Sequence, residues 1–120
     1  MITYGTMLDN VLQAAEILSK QGIETTVLRL LTIAPLNMDT ITSLIAGDHV
    51  LIVEETNSAC GIAKELSWHM QNVRPECKVH ALDLGSGFVT HGSLHALYSH
   101  YGLDGGSIAE FVRKEHFHEN

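Results

Sequence analysis

Basic residues are scarce in this 120-residue chain, seven against 14 acids, and they are scattered from Lys20 to Lys114. A nucleic-acid surface needs clustered lysine and arginine to displace counterions from phosphates, so nucleic acid is excluded as a partner, and an anionic membrane with it. No apolar run approaches the length that spans a bilayer. The start, Met1-Ile2-Thr3, lacks the basic, apolar and small-residue order of an export signal. Only two cysteines occur, Cys60 and Cys77, with no zinc-type spacing between them. They read as packing thiols in a reduced, cytoplasmic compartment. Repeats, low-complexity tracts and Pro-, Gly- or Ser-rich linkers are also absent, and the length suits one domain spanning residues 1–120.

What is present is an alternation of strand and helix signals. Leu8, Val11, Leu12, Ala15 and Leu18 recur at helical spacing, with Thr6 placed to cap the start and Gly22 the end. The β-branched and leucine-rich run from Ile23 to Leu31 predicts a strand, closed off by Pro35, which has no N–H for a ladder. Asn37 caps a short helix carrying Ile41, Leu44 and Ile45, and Gly47 stops it. Val50 to Val53 is continuously apolar, as a strand covered on both faces requires.

Asn57 or Ser58 is placed to cap the next helix, whose buried stripe is Ile62, Leu66, Met70 and Val73. Cys77 to Leu84 supplies a last strand, followed by helices from Leu94 to Tyr101 and from Ser107 to about Glu115, the latter capped by Asp104. Alternating strands and helices imply right-handed crossovers and a parallel sheet between helical layers. The expected class is α/β, a three-layer αβα sandwich with strand order 2-1-3-4.

Four places invite chemistry. Glu54 and Glu55 end the central strand, but neighbours on a strand point to opposite faces and cannot flank one substrate as paired carboxylates, so a structural or interface role is expected. Cys60 sits where a helix N-terminus would favour a thiolate, yet no diagnostic histidine motif adjoins it. His91 and His95 share a face if the helix reaches back that far, whereas His100 falls on another, so three zinc ligands do not converge there. Gly85-Ser86-Gly87 lacks the full spacing of a phosphate loop and reads as an ordinary turn. Glu54, Glu55, Cys60 and His91 are therefore candidates for an interface or a ligand contact, with no catalytic, cofactor-binding or metal residue assigned.

Thr3-Tyr4-Gly5 and the helix after it, the run ending at Pro35-Leu36, Val50 to Glu55, and Phe88-Val89-Thr90-His91-Gly92-Ser93 together resemble the C-terminal domain of the transketolase superfamily. With Tyr101-Gly102-Leu103-Asp104, Ile108 and Val112, the tail is most similar to the end of 1-deoxy-D-xylulose-5-phosphate synthases. Some family positions differ. Leu31, Ala34 and Asn37 stand where members often carry a basic residue, a lysine and an aspartate, and Ala59-Cys60-Gly61-Ile62-Ala63 stands where a glycine-rich turn is usual.

The resemblance implies a part of an enzyme. In the family, thiamine diphosphate and magnesium are held by two other domains, through a Gly-Asp-Gly motif and a pyrimidine-activating glutamate; the motif is absent here, and neither Glu54 nor Glu55 stands in the glutamate's context. The implied partners are the other domains or subunits of a thiamine-diphosphate enzyme, together with further copies of the chain as a homo-oligomer. The family's antiparallel edge strand, which would precede Ile2, is expected to be missing. The implied role is subunit assembly in an enzyme joining pyruvate to glyceraldehyde 3-phosphate. The alternatives are a free-standing binding or assembly module of the same fold, or the C-terminal domain of a split transketolase or of a 2-oxoacid dehydrogenase beta subunit.

Overall fold

A computed structural model describes residues 1–85 and 94–118. Among them four strands form one parallel sheet: β1 (Ile2–Thr3), β2 (Leu28–Arg29), β3 (His49–Val53) and β4 (Lys78–Leu82). Their order is β2-β1-β3-β4, as the alternation of elements predicts. The helices are α1 (Leu8–Lys20), α2 (Met38–Leu44), α3 (Ala63–Val73), α4 (Leu94–Tyr101) and α5 (Gly105–His118). None is long and apolar enough to cross a membrane, among the described residues.

Strand β3 shows why both faces of the sheet are covered. Leu51 and Val53 join Val11, Ala14 and Leu18 of α1 and Ile108 of α5 in one buried cluster. Val50 and Ile52, pointing the other way, join Ile41 of α2 with Leu66 and Met70 of α3 in a second. Each side of the continuous apolar run thus meets its own helical layer, which gives the expected αβα sandwich.

Local chemistry sets most ends. At the end of α1 the Gly22 N–H donates to Ser19 O and the Ile23 N–H to Leu18 O, both at 2.9–3.0 Å, with Gly22 at φ +81°; this is a Schellman ending. Asn37 Oδ1 accepts from the Thr40 N–H at 3.1 Å and caps α2, as its sequence position predicts. Asp104 caps α5, with the Ser107 N–H donating to Oδ2 at 3.1 Å. Helix α5 runs further in both directions than the predicted Ser107 to Glu115.

Other predicted boundaries differ as well. The strand expected over Ile23 to Leu31 pairs only at Leu28–Arg29, because Ile23 is spent on closing α1 and Val27 packs into the core without a ladder partner. Thr6 makes no cap; its hydroxyl donates to Glu55 instead. Asn57 caps a separate turn, accepting from the Ala59 and Cys60 N–H groups, and α3 starts later at Ala63.

Candidate functional site

The carboxyl ends of β1 and β3 lie side by side, and the segments leaving them carry the chain's main polar constellation. Parallel α/β sheets place their functional groups at this end. Glu54 follows β3 directly and is completely buried. Its Oε1 accepts two hydrogen bonds, from the Tyr4 hydroxyl at 2.8 Å and from the Ile62 N–H at 2.7 Å. Oε2 is buried with no hydrogen-bond partner among the described residues. One carboxylate therefore ties the exit of β1 to the residue that precedes α3.

Gly61 completes this arrangement. A β-carbon built on it would lie 2.9 Å from Glu54 Cδ and closer still to Oε2, so the carboxylate occupies the space a side chain would need. Tyr4 is held in its protonated, donating form: burial first, then the hydrogen bond and charge of Glu54, push its phenol well above the ordinary 10.0.

Glu55 goes the opposite way, as alternation along an extended chain requires, and is exposed. It accepts from the Thr6 hydroxyl and also hydrogen-bonds Tyr98 of α4. Burial, and then the Glu55 charge, push the Tyr98 phenol above its ordinary 10.0. The two glutamates thus serve separate clusters: Glu54 joins β1, β3 and α3, whereas Glu55 joins β3 to the turn before α1 and to α4. Nothing in this geometry makes them an acid–base pair.

Cys60 is exposed on the loop between β3 and α3, so the packing role read from the sequence does not apply to it. It belongs to the turn capped by Asn57 rather than to the first turn of α3, which removes the helix-end argument for a reactive thiolate. Cys77 is buried beside Val50 and Met70, as expected of a packing thiol, and burial pushes it above its ordinary value. His91 and most of Gly85-Ser86-Gly87 lie outside the described residues. Among the described residues no group of three His, Cys, Asp or Glu converges as a metal site.

Sequence reasoning missed Tyr4, Thr6, Gly61 and Tyr98 as members of these clusters. The one local signal is Gly61 between Cys60 and Ile62, where the chain passes close to another group.

Comparison with known proteins agrees with the architecture. A family model described as the transketolase C-terminal domain matches residues 1–108. Among curated relatives, 1-deoxy-D-xylulose-5-phosphate synthase of Chlorobium phaeovibrioides is 30% identical over 114 residues, covering 94% of this chain and 18% of the synthase. The synthase of Clostridium kluyveri is 31% identical over 115 residues, with 95% and 18% covered. The beta subunit of acetoin:2,6-dichlorophenolindophenol oxidoreductase of Cupriavidus necator is 37% identical over 68 residues, covering 56% of this chain and 20% of that subunit. Among solved structures, a chain described as a split gene transketolase, inactive beta4 tetramer, superposes with a TM-score of 0.76 at 22% identity, covering 94% of this chain and 37% of that one. The chain spans about a fifth of the length of the curated relatives it matches.

Proposed function

The chain belongs to the transketolase C-terminal domain family, and from that premise we propose that it is the C-terminal, assembly-directing part of a thiamine-diphosphate enzyme of the 1-deoxy-D-xylulose-5-phosphate synthase type. The observation that carries the proposal is the near-complete coverage of this chain by the last part of the synthases, at about 30% identity. The reaction served is the joining of pyruvate to glyceraldehyde 3-phosphate, with the reacting atoms held by other domains or subunits.

On this reading the chain supplies no ligand to thiamine diphosphate or magnesium, and its residues do not fit that cofactor. Glu54 already spends one oxygen on Tyr4 and Ile62, and the other is closed in against Gly61. No Gly-Asp-Gly occurs in the sequence. What the site does instead is mechanical: Glu54 fixes the loop of residues 55–61 over the end of the sheet, where it can face a neighbouring domain. The exposed Leu31 and Ile33, beyond the short edge strand β2, offer apolar contact for association with another subunit, including a second copy of the chain.

The acetoin oxidoreductase match favours a second reading, in which the chain closes a beta subunit of the 2-oxoacid dehydrogenase type. Reconstitution separates the two. A Chlorobium synthase shortened by its own last domain and fused to this chain is expected to regain synthase activity, while the Cupriavidus beta subunit treated likewise stays inactive. Recovery of the oxidoreductase alone would support the second reading and reject the first.

A further inference from the structure

At the amino-terminal end of the sheet, away from the glutamate clusters, a cavity of about 460 Å³ opens between the end of α2 and the last turns of α5. Its volume is that of a small-molecule site. Val50 and Leu51 both line it although neighbours on a strand point to opposite faces, so it lies across the strand ends rather than on one face of the sheet. Ile2, Leu28 and Phe111 help to make its wall largely apolar. The α2 side is held in place by Arg74, whose guanidinium donates to Ile45 O and Gly47 O, both at 2.9 Å. Phe111 is fixed on the other side by edge-to-face packing with His80, the ring centroids 5.7 Å apart.

The side-chain charges on this wall are mostly of one sign. Glu24, Asp48 and Glu115 line the cavity, and no lysine or arginine side chain does. The Met1 ammonium, also at the wall, donates to Thr26 O, and burial lowers its pKa from the ordinary 8.0. Asp48 is paired with Arg74 at 3.6 Å, and Glu24 accepts from the Ser19 hydroxyl at 3.0 Å. Glu115 is different. It is half-buried on α5 and has no ion pair or hydrogen bond among the described residues. It stands one turn from Phe111 on the same helix face, so an uncompensated carboxylate and an aromatic ring border one space.

We propose that this cavity binds a small organic cation, a primary ammonium carried on an apolar body, with the ammonium on Glu115 and the body against Phe111 and the apolar wall. The ammonium–carboxylate hydrogen bond is charge-assisted and partly shielded from water, and an aromatic wall suits a cation as well as its apolar body. The acidic lining raises the local concentration of cations and repels anions. Pyruvate, glyceraldehyde 3-phosphate and thiamine diphosphate are all anionic, so this site is separate from the reaction proposed for the complete enzyme.

Three probes of similar shape and different charge test this: 2-phenylethylammonium, 2-phenylethanol and 3-phenylpropionate, each titrated into the full chain and followed by amide NMR. The ammonium is expected to give saturable shifts at residues 44–50 and 111–115, the alcohol to bind there about tenfold more weakly, as the loss of a charge-assisted hydrogen bond implies, and the propionate not to bind. Glu115→Gln is expected to weaken the ammonium about tenfold, to the level of the alcohol, and to leave the alcohol unchanged. Glu110→Gln, on the same helix but outside the lining, should alter neither. Amide spectra check that the variants fold, and the three probes on the unmodified chain decide the matter alone if Glu115→Gln does not. Equal affinity for the three probes, no saturable shift at these residues, or unaltered ammonium binding in a folded Glu115→Gln would overturn the proposal.

Discussion

The Glu54 carboxylate fills the volume that a side chain at residue 61 would occupy, with Cδ 2.9 Å from the position of a Gly61 β-carbon. A buried acid and a glycine seven positions later are thus a matched pair, and the loop between them is shaped by their contact. Because Oε1 is fixed by Tyr4 and the Ile62 N–H, the carboxylate cannot simply swing aside.

Gly61→Ala is therefore expected to destabilise the chain by about 1–3 kcal/mol, the range for an overpacked interior. Glu54→Ala is expected to cost about 3 kcal/mol or more, since two hydrogen bonds to a charged group are lost at about 1.5–3 kcal/mol each. The double variant should cost clearly less than the sum, because removing the carboxylate makes room for the methyl group. Denaturant unfolding of the four proteins measures this; strict additivity would show that the two residues are not coupled.

Tyr4 gives a pH prediction with a definite sign. Its phenol has a folded-state pKa raised above the unfolded value near 10.0, so its contribution to stability is complete below that value and is lost as pH rises above it. The wild-type chain should lose stability above pH 10 more steeply than Tyr4→Phe, while at neutral pH the variant is the weaker protein by about 1–3 kcal/mol. Unfolding curves at several alkaline pH values, with the ultraviolet phenolate band recorded alongside, provide the check. Parallel stability profiles for the two proteins would remove the Glu54 contact as the cause.

Much of this architecture was legible in the chain. The apolar run Val50 to Val53, flanked by helical patterns on both sides, leads to a central strand and to the observed order 2-1-3-4. The cap at Asn37 and the end of the helix at Tyr101 agree as well, because each depends on a few neighbouring residues. The edge strand was overestimated for a physical reason: Ile23 and Val27 are apolar because they enter the core, and apolarity alone does not report ladder pairing. The carboxylate site was only half visible. Glu54 and Glu55 stand out at a strand end, but Tyr4 and Ile62 become their neighbours through crossovers that no local pattern encodes.

Among the described residues Leu31 is the most exposed of the large apolar side chains, at 83%, and lies just past edge strand β2. If this edge mediates association, Leu31→Lys should shift the chain toward monomer at micromolar concentration while leaving Tm nearly unchanged, since Leu31 contributes little to the core. Leu28, which packs against the cluster around Ile2 and Ile52, is the contrasting position, where lysine should unfold the protein. Sedimentation velocity reads both effects. A monomeric parent chain would remove self-association through this edge, and an oligomer indifferent to Leu31→Lys would place the contact elsewhere.

The central claim, that this chain contributes assembly rather than cofactor chemistry, is tested most directly by calorimetric titration of thiamine diphosphate into the isolated protein in magnesium-containing buffer. The account predicts no saturable heat beyond that of a control protein of similar charge. A one-to-one isotherm that requires magnesium would contradict it, and would mean that the chain holds a cofactor site of its own.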